Sequence, residues 1–173
     1  MTSSIDQFDE RFDERWETFR GHRAIDRLFY TASETADFSM LWHTFGVAQA
    51  FVRNDPWSAI AVSSALGAES ALINGPVKSM FNRSRPIQET PRPFNLRQPK
   101  TSSFPSGHAS AAMVAAAMLS RNGTKPLWYT AAMIVATSRV HVRIHHASDV
   151  AGGLVAGALL GAISKRVADR FLG

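Results

Sequence analysis

The chain has 173 residues, a formal net charge of +5, no cysteine and 45% apolar residues. That length sets one domain over residues 1–173 as the expectation, and the missing thiol excludes disulfide and thiolate chemistry. The basic balance asks for an anionic partner; with no nucleic-acid motif, and with basic residues gathered around histidines in apolar surroundings, the expected anion is a small phosphate and not a nucleic acid.

Taken in chain order, residues 4 to about 30 are expected as one amphipathic helix within an N-terminal segment 1–35. Ser4 and Gln7 fit a capping box, and Ile5, Phe8, Phe12, Trp16 and Phe19 recur at helical spacing between charged residues. Such a face suits a protein core and a membrane interface equally well. The same residues are acidic and hold no apolar run, so they are not read as a secretory signal. Two uncharged stretches follow at 38–52 and 56–68, the second continuing through Glu69 to about Lys78. A polar loop rich in Pro and Arg spans 82–103. Helices are then expected over 106–120, 126–142 and 149–171, the first two divided by RNGTKP, where Gly ends one helix and Pro opens the next.

No strand pattern occurs, so the fold class is all-α: a bundle of about five core helices plus the N-terminal helix. The apolar runs fall short of the ~20 residues of a spanning helix, and the mean hydropathy is −0.09. Against that, AGGLVAGALLGA spaces small residues as helices packed within lipid do. Pattern alone leaves a soluble bundle and a bundle of short spans both open.

Three islands carry chemistry. The first is KSMFNRSRP, with Lys78, Arg85 and Pro86 spaced K-x6-R-P; the second is FPSGHAS, with Ser106, Gly107 and His108; the third is SRVHVRIHHASD, with Ser138, Arg139, His145 and Asp149 spaced S-R-x5-H-x3-D. Lys78, Arg85 and Arg139 supply fixed charge and forked donors for phosphate oxygens. Ser106 and Gly107 open a helix whose free N–H groups and dipole favour an anion. His108 can hand a proton to a leaving oxygen. His145 and Asp149, four apart, share a face if helical, so that the carboxylate fixes the imidazole tautomer beside a nucleophilic nitrogen. No Asp/Glu cluster is present to hold Mg²⁺, and the basic side chains stand in that role.

These islands, in this order, resemble the type 2 phosphatidic acid phosphatase (PAP2) superfamily, with every motif position matched; the resemblance covers roughly residues 56–170. It implies a haloperoxidase-like helical bundle, membrane-embedded in the small bacterial members, and metal-independent, cofactor-free hydrolysis of a lipid-linked phosphate. It implies His145 as the nucleophile forming a phosphohistidine, Asp149 as its orienter and His108 as acid and then base. Lys78, Arg85, Ser106, Gly107 and Arg139 would hold the phosphoryl oxygens. Polyprenyl phosphates and diphosphates, a prenyl phosphosugar such as decaprenylphosphoryl phosphoribose, phosphatidylglycerophosphate and phosphatidate are all admissible substrates. A soluble non-specific acid phosphatase, a vanadium haloperoxidase and a non-catalytic phospholipid binder are the alternatives, and a homo-oligomer is left open.

Other residues keep plainer readings. His141, four before His145, reads as a residue supporting the site from behind or as a pocket-wall residue, and His146 as structural or solvent-facing. Arg143 reads as surface charge before extra phosphate contact. Arg83, Arg92, Arg97 and Lys100 read as a solvated loop with scattered charge before headgroup contacts, and His43 as a satisfied core histidine. Glu69 fits a buried functional carboxylate, a helix surface or a partner for an arginine. Trp42, Trp57 and Trp128 fall near helix ends, as an interfacial belt or a core would place them. Helical hairpins at 38–78 and 106–142 bring the three islands to one side, with thirteen of the nineteen Lys and Arg residues on that side. Several of those are required by chemistry, so the side of the membrane stays open.

Overall fold

The computed structural model describes residues 3–87, 96–121 and 123–172, and Arg92 lies outside them. Within the described residues there are seven α-helices and no strand. The expected N-terminal helix is two: α1 (Ser4–Glu17) and α2 (Arg23–Thr35). Gly21 divides them with φ +84°, a left-handed conformation that costs glycine nothing and ends the helical ladder. The capping box is one residue earlier than expected. Ser3 Oγ accepts from Asp6 N at 3.1 Å and the Asp6 carboxylate takes the Ser3 N–H at 3.0 Å, while Gln7 N is already in the helical bond to Ser3 O.

A short 3₁₀ turn, Asp37–Ser39, leads into α3 (Met40–Arg53). Asn54 in the left-handed conformation stops α3; Asp55 caps α4 (Pro56–Leu72) by accepting from Ser58 N at 3.3 Å, with Pro56 where its missing N–H is not needed. After the long loop come α5 (Gly107–Leu119), α6 (Lys125–His141) and α7 (Ala147–Leu172).

Helix α5 is the centre. It is built of Ala, Ser, Met, Val and Leu, ten of its residues are buried, and it packs against α3, α4, α6 and α7. Its contact with α7 is close because Gly153, Gly157 and Gly161, one per turn, lie against Ser106 O, the Ser110 backbone and the Val114–Ala117 turn, where a Cβ would collide. The core of Trp42, Leu66, Val114, Leu119 and Val135 joins α3 to α6. Trp42 is therefore a fully buried core residue and not part of an interfacial belt, whereas Trp57 is exposed and Trp128 packs edge-on to Phe45.

The opposite face of α7 shows Val155, Leu159, Ile163, Val167 and Phe171, all more than half exposed and four apart. Helix Ala147–Phe171 is long and apolar enough to cross a membrane. The hairpins place the end of α4, the start of α5, the end of α6 and the start of α7 at one end of the bundle. Arg121, Lys165 and Asp169 gather at the other.

Candidate active site

Each island reaches this end by a local feature of its sequence. Pro76 lacks the N–H that would continue α4, and the chain widens into a π-type turn, Ile73–Val77, that turns Lys78 inward to 6% exposure. Ser106 ends an extended segment; its N–H donates to Asp149 O at 2.9 Å, tying the start of α5 to α7. That bond removes the Ser106 N–H from the donors expected for an anion. The first turn of α5 has no side-chain cap, so the N–H groups beginning at Gly107 remain without intrahelical acceptors. The Ser106 hydroxyl is buried and has no partner. Gly107 is also a close approach: a Cβ there would come 3.0 Å from Asn74 Oδ1.

The third island is only partly helical. Arg143 takes a left-handed φ of 51°, α6 ends at His141, and His145 stands in the turn before α7. The pair expected on one helical face is thus a turn residue facing the first turn of a helix, with His145 Nδ1 3.6 Å from Asp149 Oδ2. Arg85 reaches the other imidazole nitrogen: its Nη1 is 3.2 Å from His145 Nε2 and 2.9 Å from Ile144 O, and its Nη2 donates to Thr101 O at 3.1 Å. A guanidinium only donates. Nε2 is therefore the acceptor, and the ring proton sits on Nδ1 toward Asp149. Burial is the largest influence on His145 and outweighs the carboxylate beside it, holding the imidazole at a pKa of about 3, so it is neutral at pH 7.

Asp149, itself fully buried, is held from four directions: it accepts from the Ser103 hydroxyl, from His146 N at 2.8 Å and from Arg83 Nη1 at 2.6 Å, beside its contact with His145. A cavity of about 480 Å³ opens in front and is lined by Lys78, Gly107, His108 and His145 together with Glu69, His43 and Phe38. Burial chiefly, then the Arg85 charge, lowers Lys78 to a pKa of about 8. Arg139 is buried behind this wall with Nη1 on the Ser33 hydroxyl, and its charge acts on both His108 and His145.

Every site residue expected from sequence therefore lies at this end, with Lys78, Gly107, His108 and His145 on the cavity and Arg85, Ser106, Arg139 and Asp149 behind or beside them. Several supporting residues were not expected. Arg83, read as loop charge, bridges Asp149 to Asp9 at 2.6 Å each, and Asp9 also accepts from Ser148 N and Oγ. His141 is not a pocket wall: Trp16 Nε1 donates to its Nδ1 at 3.2 Å, so its Nε2–H donates to Asp26 at 2.9 Å. Arg143 pairs with Glu17 at 2.6 Å. These contacts dock α1 and α2 onto the site end, and their sequence signal was the run of acids spaced along α1. His43 bonds Ser63 at 3.0 Å yet also lines the cavity. Glu69 is buried on the cavity wall, with Oε1 unpartnered. Among the described residues no three His, Asp or Glu side chains converge as a cation site.

The model of the PAP2 superfamily matches residues 57–172, most of the chain and all three islands. The chain belongs to the PAP2 superfamily. Two curated members are similar in sequence. Decaprenylphosphoryl-5-phosphoribose phosphatase of Mycobacterium tuberculosis is 36% identical over 87 residues, 50% of this chain and 49% of that protein. Lipid A 1-phosphatase of Porphyromonas gingivalis is 32% identical over 157 residues, 86% of this chain and 32% of that protein. The chain thus spans about half the length of the first and a third of the second. In fold, this PAP2 member superimposes on the transmembrane PAP2 type phosphatidylglycerolphosphate phosphatase from Bacillus subtilis with a TM-score of 0.76, covering 98% of this chain and 89% of that one at 22% identity.

Proposed function

We propose that this PAP2 member is an integral-membrane phosphatase that hydrolyses a lipid-linked phosphate through a phosphohistidine at His145. The observation that carries this reading is the state of His145: neutral, its proton turned to Asp149, and its Nε2 lone pair beside the Arg85 fork at the edge of a cavity lined by His108 and Lys78. That is an oriented nucleophile next to fixed positive charge.

In the first half-reaction His145 Nε2 attacks phosphorus, the P–N bond forms, and the bond to the leaving oxygen breaks. His108 gives that oxygen a proton. Arg85, Lys78, Arg139 and the α5 first turn, with the Ser106 hydroxyl, balance the charge on the three equatorial oxygens. In the second, His108 takes a proton from water as the water attacks phosphorus; the P–N bond breaks and phosphate leaves. Asp149 balances the positive imidazole in between and stays ionised.

The apolar stripe on α7 supports a membrane location, and the lipid-acting names of both sequence relatives support a lipid-linked substrate. The test is phosphate release by detergent-purified protein with EDTA present, from a polyprenyl phosphosugar, a polyprenyl diphosphate, phosphatidylglycerophosphate, phosphatidate and a soluble ester. Turnover of a lipid, lost in His145→Ala, is expected; turnover of the soluble ester alone, or of none, would refute the lipid assignment.

A further inference from the structure

The proposed acid, His108, has a carboxylate of its own, and it comes from outside the matched family segment. Asp37 Oδ1 lies 2.9 Å from His108 Nε2. Asp37 stands in the turn between α2 and α3, twenty residues before the family match begins at residue 57. The turn is an unusual one. Phe38 and Ser39, neither a glycine, both take left-handed φ values of 53° and 58°. Two such residues in succession cost roughly 1–2 kcal/mol each, and strain of this kind persists where the surroundings impose it. Here it reverses the chain so that Asp37 points at His108 while Ala36, Phe38 and Ser39 line the cavity. Arg97 stacks over the Phe38 ring at 4.5 Å and closes the turn from the loop side.

We propose that Asp37 is a positioning residue for His108, holding the Nε2–H so that Nδ1, protonated in the imidazolium, gives its proton to the leaving oxygen and, once neutral, takes one from the attacking water. The contact is on one ring nitrogen only, and Asp37 is not itself a lining residue of the cavity, whereas His108 is. Burial works to raise the Asp37 carboxyl, but its bond to His108, with the charges of His108, Arg139 and Arg97, holds it below the usual carboxylate range. An ionised Asp37 is thus available to accept the Nε2–H and to balance the imidazolium. The site then holds two imidazole–carboxylate pairs, His145 with Asp149 for the nucleophile and His108 with Asp37 for proton transfer.

This inference rests on the phosphatase reading for its kinetic part and on geometry alone for its spectroscopic part, and the test separates them. In full-length protein labelled at histidine with ¹⁵N and held in detergent, the His108 signal is assigned by its loss in His108→Gln. The wild type is expected to carry the proton on Nε2, and Asp37→Asn to lose that preference. An unchanged His108 tautomer in Asp37→Asn would overturn the pairing whether or not the protein turns over any substrate.

The kinetic arm compares two leaving groups in the first turnover. An alkyl phosphate needs its leaving oxygen protonated; p-nitrophenyl phosphate needs this far less. General acid catalysis contributes on the order of 10²–10⁴-fold. Asp37→Asn is expected to slow alkyl alcohol release roughly 100-fold with little change in KM, to slow nitrophenol release far less, and to regain part of the loss in Asp37→Glu. Equal losses on both substrates would mark a structural role only. Undiminished alkyl release in Asp37→Asn would overturn the positioning role while leaving the phosphatase reading in place.

Discussion

Arg83 offers the most informative single perturbation, because it is a 22% exposed side chain joining two buried carboxylates. Its Nη2 donates to Asp9 and its Nη1 to Asp149, both at 2.6 Å. Arg83→Met keeps most of the apolar stem and removes both of these bonds together with the 2.6 Å donation from Nη1 to the Ser148 hydroxyl. Asp9 keeps the Ser148 N–H and hydroxyl, and Asp149 keeps Ser103 and the His146 N–H, so neither carboxylate is stripped bare. Charge-assisted bonds contribute about 1.5–3 kcal/mol each, and partial exposure of Arg83 argues for the lower figure. The expected loss is therefore about 3 kcal/mol in all, or roughly 6–12 °C in melting temperature for a chain of this size. Tryptophan fluorescence during heating in detergent reads it, with Trp16 reporting on α1. Adding Asp9→Asn should cost less than the sum of the two changes, since the carboxylate left unpaired is then gone. A melting shift below about 2 °C, or strict additivity of the two changes, would refute the claim that Arg83 pins α1 to the carboxylate beside His145.

Three further outcomes follow from the same geometry. Arg85→Lys should lower kcat/KM on the order of 100-fold, because one ammonium cannot reach Ile144 O, Thr101 O and His145 together; a change below threefold would contradict the role of the fork. Lys78 holds its proton below a pKa of about 8, and in its proposed role the charged form binds phosphate, so the affinity for inorganic phosphate as inhibitor should be full below pH 8 and fall above it; a flat profile to pH 9.5 would count against Lys78 as a phosphate ligand. Gly157→Leu should cost about 3 kcal/mol or more, since its Cβ meets Ser110 backbone that cannot move, whereas Gly67→Ala, inside α4 with nothing within 4 Å, should melt at or slightly above the wild-type temperature.

Much of the site was legible because its parts are local. The spacing from Arg139 to His145 to Asp149 survives the loss of helical geometry between them: the turn at Arg143 replaces the shared helical face, and the imidazole still meets the carboxylate. The K-x6-R-P and PSGH islands are likewise placed by their own turns. The helices of the bundle were legible from apolar runs bounded by Gly and Pro, with ends within a few residues. What periodicity could not reveal is long-range. Arg83 looks like any loop arginine until α1 folds back to bring Asp9 to it, and Asp37 looks like a helix-end residue until two left-handed residues turn it onto His108. The N-terminal break was hidden because one amphipathic pattern runs through Gly21, and only the left-handed φ there shows that the chain turns. Trp42 sits near a helix start, as interfacial residues do, and only the packing of α3 on α4 and α5 buries it.

The proposed phosphohistidine can be trapped. Wild-type protein mixed with a ³²P-labelled lipid phosphate and quenched in alkali within the first turnovers should carry one acid-labile, alkali-stable label, and peptide mapping should place it on His145. Absence of label from a protein that is turning over, or label that persists in His145→Ala, would contradict the account.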